Sequence, residues 1–249
     1  MKAEYTLVFL TVFVRLGTGL ILAHLLVSLW APILLEAYVA AAAFVLTGFG
    51  LCLSLLHLGK PGRILNSFNN LKSMVAWEAI VSPPLMVALA TLAYFSYKAP
   101  GSIAVPIAKI ATAALAVGFI FVTANVYYLR ARPSWTTSLV LYEYFVSTAC
   151  FGTLAFGTAL AIFAKLSMHG VFTLGACMLA FLAAEALVTF YYRARAIRVN
   201  PAAARALSED KSRNPYGARD TYRCFVGLGL VVPMLCAAAV FTGQLLAVV

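Results

Sequence analysis

Residues 36–57 read EAYVAAAAFVLTGFGLCLSLLH, and the chain then turns polar at His57-Leu58-Gly59-Lys60-Pro61-Gly62-Arg63. No carboxylate, lysine or arginine lies between Glu36 and His57. A helix rises about 1.5 Å per residue, so this stretch is long enough to cross the hydrocarbon of a bilayer, about 30 Å thick. An imidazole, a Gly/Pro turn and two cations therefore meet where a membrane helix reaches water. That reading sets the fold class, and the rest of the chain repeats it. Of its 249 residues 63% are hydrophobic and 10% charged, with a mean hydropathy of +0.96. Apolar segments of span length occur at about 6–29, 36–57, 74–97, 103–130, 138–165, 169–192 and 222–247, by the criterion of about 20 consecutive apolar residues. The expectation is an all-α polytopic membrane bundle of seven transmembrane helices. It forms a single transmembrane domain over residues 1–249, with one basic loop at about 193–221. The first segment, preceded only by Met1-Lys2-Ala3-Glu4-Tyr5, is longer than a signal-peptide core and is expected to be a retained span.

The net charge of +10 follows topology rather than a nucleic-acid footprint. Let the near face be the side of the membrane that holds the N-terminus, and the far face the other. With seven spans, fourteen of the 18 Lys and Arg residues fall on the near face. Lys98, Lys109 and Lys165 fall toward the far face, and Arg15 lies inside the first span. The positive-inside rule then puts the near face and the N-terminus in the cytoplasm of a multi-pass inner-membrane protein, with the C-terminus on the opposite side. No nucleic-acid partner is expected. The five cysteines form no CxxC pair and all fall in spans, as small packing residues do. No metal site is expected on this chain.

In so apolar a chain, ionisable groups at membrane depth are candidates for function. His57 ends the second span on the near face. Glu78 lies about one turn into the third, Glu143 one to two turns into the fifth, and Glu185 about two turns from the near end of the sixth. Asn125, Tyr127, Tyr128 and Trp135 lie near the same end of the fourth span or in its loop. The far half is expected to hold no intramembrane carboxylate. Each residue also has a plain reading. His57 could cap a helix end, and Glu78 could answer the helix dipole. Tyr127, Tyr128 and Trp135 could belong to an interfacial aromatic belt, and Arg63, Arg130 and Arg132 could only set topology. Arg15, near mid-bilayer, needs an anion, with Glu143, Glu185 and Glu78 as candidates. Haem ligation is disfavoured. His24 lies toward the far face and His57 at the near one, on the order of 25 Å apart along the axis, and His169 sits at a membrane edge.

The run Leu55-Leu56-His57-Leu58-Gly59-Lys60-Pro61-Gly62-Arg63 is followed by Asn66-Ser67-Phe68-Asn69 and Trp77-Glu78-Ala79-Ile80. Together with Val126-Tyr127-Tyr128 and Arg132-Pro133-Ser134-Trp135, it resembles the DmsC family, the membrane anchor subunits of dimethyl sulfoxide reductases. The family pattern is HLG-x-P-x-R, then N-S-x-N, then a Glu-Ile about 22 residues beyond the histidine. Here Glu78 follows His57 by 21 residues, and the family commonly has eight spans rather than seven. The resemblance is strong over roughly 40–160. It implies a haem-free anchor that binds quinol, in the first place menaquinol, as substrate. Such an anchor holds a four-cluster iron–sulfur subunit and a molybdopterin catalytic subunit on the membrane. The iron–sulfur clusters, the molybdopterin and the terminal-substrate site belong to those partners. His57 and Glu78 map onto the family's quinol site, and Arg63, Tyr127, Trp135, Glu143 and Arg15 complete the candidate quinone-binding set.

Two other function classes remain open at this point. A transporter could use Arg15 and the glutamates as a polar path. A purely structural anchor would carry the same spans without quinone turnover.

Overall fold

The computed structural model describes residues 4–29, 35–57, 71, 73–126 and 139–163, with isolated helical positions between 176 and 191. Five long helices are described: α1 (Glu4–Ser28), α2 (Glu36–His57), α3 (Met74–Lys98), α4 (Ala104–Val126) and α5 (Leu139–Phe163). Four contain stretches apolar and long enough to cross a membrane: Phe9–Ser28, Glu36–Leu55, Met74–Lys98 and Ala104–Val126. The protein is thus an all-α membrane bundle. The helix ends match the first five expected spans closely, because in hydrocarbon each backbone N–H and C=O must be satisfied within its own segment. The expected sixth and seventh spans, apart from the isolated positions, and the basic stretch 193–221 lie outside the described residues.

α1 is the axis of the bundle, packed against α2, α4 and α5. Its neighbours can be read from its glycines. A methyl group on Gly17 would meet Ala43 and Thr47 of α2, and one on Gly50 would meet Val14 and Leu10. α1 and α2 therefore run antiparallel. On the other side, a methyl group on Gly152 of α5 would collide with the backbone of Gly19. Arg15 lies beside Glu143 and His24 beside Phe156, so α1 and α5 run parallel. Bare backbone lets helices approach closely where lipid gives no hydrophobic drive between them. Ile21, Leu85, Leu89, Leu92, Phe119 and Phe156 fill the space around this axis.

α3 and α4 form the expected tight hairpin, closed by Ala99 N–H to the Phe95 carbonyl (2.9 Å) and Ser102 N–H to the Ala99 carbonyl (2.9 Å). At the near end of α3, the Trp77 indole donates to the Leu71 carbonyl at 3.0 Å and ties down the approach to the helix. Pro83 and Pro84 lie inside α3. Neither can donate a backbone hydrogen bond, which leaves the carbonyls four residues back, at Ala79 and Ile80, without their usual helical donors.

Candidate functional site

Arg15 sits on α1 about 9 Å past Phe9, where the apolar stretch begins. Its side chain is almost wholly buried, and it meets Glu143, one of the carboxylates considered for it. Arg15 Nη1 lies 3.2 Å from Glu143 Oε1 and donates to Ser147 Oγ at 2.9 Å. The guanidinium carbon stands 3.7 Å from the centre of the Tyr144 ring. Glu143, Tyr144 and Ser147 are successive contacts on one face of α5, at the i, i+1, i+4 spacing that a helix brings together. Ser147 in turn donates to the Tyr144 carbonyl at 3.2 Å. Removing a charge pair from water is costly, and hydrogen bonds together with stacking on an aromatic face are what offset that cost.

Glu78 stands five residues beyond Ser73, which precedes α3. The first turn of that helix contains no acidic residue, so the dipole reading of Glu78 does not hold. Instead it faces α4, where Thr123 Oγ1 donates to Glu78 Oε1 at 3.2 Å. Glu78 and Arg15 line one narrow, partly open cleft. Its walls are mainly apolar, with Leu10, Val14 and Ile120, and Thr18, Thr123, Tyr144 and Thr148 are also among its lining residues. Four helices, α1, α3, α4 and α5, thus bring a cation, a carboxylate and several hydroxyls to one level. An apolar cleft with a few convergent polar groups is the usual form of a small-molecule site.

The structure accordingly brings together Arg15, Glu78 and Glu143 of the expected set. His57 is the last residue of α2, at the same end of the bundle as Glu78, and its side chain lies outside the described residues. So do Arg63, Tyr127, Trp135 and Glu185. Asn125 turns back on its own helix, donating to the Phe121 carbonyl at 2.7 Å. Sequence reasoning missed Thr123, Ser147 and Thr148, because a threonine or serine in an apolar helix carries no signal of its own.

It also missed a second polar centre at the far end. Glu36, in the first turn of α2, has its Oε2 2.5 Å from Lys109 Nζ of α4 and 3.9 Å from His24 Nε2 of α1. Its Oε1 accepts from Ser96 of α3 at 2.8 Å. The far end of the bundle therefore holds a part-buried carboxylate, at the first residue of α2.

The sequence matches the family described as DMSO reductase anchor subunit (DmsC) over residues 1–235. The protein belongs to the DmsC family. The C subunit of the anaerobic dimethyl sulfoxide reductase of Haemophilus influenzae is 29% identical over 133 residues, covering 51% of this protein and 47% of that one. The match thus spans about half the length of this curated DmsC relative. No solved structure matches it.

Proposed function

We propose that this protein is the haem-free membrane anchor of a molybdopterin oxidoreductase complex, and that the cleft between α1, α3, α4 and α5 takes the headgroup of a quinol, in the first place menaquinol. The observation that carries this is the meeting of Glu78, which the family motif singles out, with Arg15, Tyr144 and Thr123 in one cleft. That cleft lies at the end of the bundle where His57 closes α2.

Oxidising a quinol to a quinone releases two electrons and two protons. Glu78 is placed to accept a hydroxyl proton, with Thr123 holding its carboxylate in position. His57 is the second acceptor, since an imidazole titrates near neutral pH. Arg15, held by Glu143, supplies positive potential where the quinol oxygen becomes anionic. The electrons pass to a docked four-cluster iron–sulfur subunit and on to the molybdopterin subunit. The basic near face guides that docking. His24 is packed edge-to-face on Phe156 at 5.5 Å between ring centres and beside Glu36, a setting that suits a haem-free bundle. The near face, with the N-terminus, is cytoplasmic on charge grounds.

The test is quinol oxidation by the assembled complex carrying His57→Gln or Glu78→Gln. Turnover is expected to fall by a factor of about 100 or more, the usual worth of a positioned acid–base group, with the partner subunits still copurifying. Undiminished turnover in both assembled variants would leave only a structural anchor.

A further inference from the structure

The far-end centre is graded in exposure. The side chain of Lys109 is 30% exposed and that of Glu36 15%, while the imidazole of His24 is fully enclosed. The three groups thus lead from the surface into the bundle. Both nitrogens of His24 are buried and meet no hydrogen-bond partner among the described residues. The groups that face it are Glu36 from α2, Lys109 from α4 through Glu36, and the Phe156 ring from α5. α3 contributes Ser96, through Glu36.

Two further buried hydroxyls share that condition, Thr47 Oγ1 and Thr112 Oγ1. They contrast with five other threonines of the bundle. Thr18, Thr148, Thr153 and Thr158 each donate to the carbonyl four residues back, at 2.6–2.9 Å, and Thr123 donates to Glu78. Thr47 instead presents its hydroxyl to the bare backbone of Gly17, between Arg15 and His24 on α1. Thr112 lies three residues beyond Lys109 on α4, about 4.5 Å deeper in the membrane. Buried polar groups are satisfied by protein or by water, and water in such a place needs several polar partners. Among the described residues, His24, Thr47 and Thr112 fall between the far surface and the Arg15 centre. Arg15 and His24 are nine residues apart on one helix, about 13 Å.

We propose that Lys109, Glu36 and His24, continued inward by Thr112 and Thr47, form a proton path between the far face and the cleft of Arg15 and Glu78. The inference rests on the quinol reading of that cleft. For each quinol oxidised, two electrons leave toward the iron–sulfur partner on the near face. At least one of the two protons leaves through Thr47 and His24 to Glu36, and from there to far-face water. Turnover therefore moves charge across the membrane.

The test uses the assembled complex in vesicles with the far face inward and a pH indicator trapped inside. A short-chain naphthoquinol is the donor, and impermeant ferricyanide outside accepts electrons from the iron–sulfur partner. The lumen is expected to acidify during turnover, and an uncoupler should abolish the signal. His24→Phe and Glu36→Gln should each lower luminal proton yield and turnover by about tenfold or more. Thr47→Val, which keeps the side chain's shape without its hydroxyl, should lower both to a lesser degree. Acid appearing only outside while quinol is oxidised would overturn the path and leave the quinol site standing. That measurement needs only the unmodified protein, so a variant that fails to fold does not stand in its way. An assembled complex that oxidises no quinol at all would overturn both readings.

Discussion

A guanidinium inside an apolar helix is tolerable only with company, and that of Arg15 includes the Glu143 carboxylate, the Ser147 hydroxyl and the Tyr144 ring. Breaking such a pair from one side strands a buried charge and costs about 3–5 kcal/mol. Arg15→Met is therefore expected to lower the unfolding midpoint in detergent sharply. Adding Glu143→Leu should recover most of the loss, because it removes the stranded carboxylate. A double variant no more stable than the single one would show that Arg15 is held by its other contacts. The sequence made Arg15 conspicuous, since one charge in an apolar stretch stands out. Its partner was not legible, because Glu143, Glu185 and Glu78 are equivalent until the helix neighbours are known. The pairing of His24 with Glu36 was not legible for the opposite reason. A histidine in an apolar helix and a glutamate at a helix start are each ordinary alone, and only the packing of α1, α2, α3 and α4 makes them one group.

At the level of elements, the bundle depends on how closely α1 can be approached. The crossing at Gly19 and Gly152 brings backbone against backbone, with no space for a methyl group on either side. Gly152→Ala is thus expected to separate α5 from α1, weaken the Arg15–Glu143 pair, which lies about one turn away on α1 and two and a half on α5, and lower both yield and midpoint. Gly118, inside α4, has nothing within 4 Å of where a methyl group would go. Gly118→Ala should be neutral or stabilising by up to about 1 kcal/mol, the difference in helix propensity. Thermal unfolding of the two variants side by side decides the matter, and equal midpoints would contradict the crossing. Hydropathy placed the first five helices to within a few residues because the length of a span is set by the membrane. It carried no information on which helices touch, since a lipid-facing and a helix-facing alanine look alike.

Across the whole molecule, the two polar centres lie nine residues apart on α1, one at its middle and one toward its far end. Arg15 joins α1 to α5 at mid-helix, and His24, with Glu36, joins it to α2, α3 and α4 near the far face. Orientation decides what this asymmetry does, and the charge distribution predicts a cytoplasmic near face. Alkaline phosphatase inserted at Gly101, in the far-face hairpin, should then be active in cells, and the same insertion within 193–221 should be silent. The reverse pattern would place the near face outside the cytoplasm. The two centres would keep their relation to each other and exchange compartments.

The pairing of Arg15 with Glu143 spans 128 residues of sequence, and this bears on biogenesis. At roughly 5–20 residues per second, α1 waits about 6–25 s after emerging before α5 is made. During that interval its arginine is carried without the carboxylate that later holds it, a situation that costs about 2.5–3.5 kcal/mol at the centre of a helix leaving the translocon. α1 thus enters the bilayer as a provisional guest, held by α2 through the Gly17 and Gly50 contacts. Its final depth is settled only when the fifth helix arrives, so the order of synthesis, as well as the finished contacts, is part of how this anchor is built.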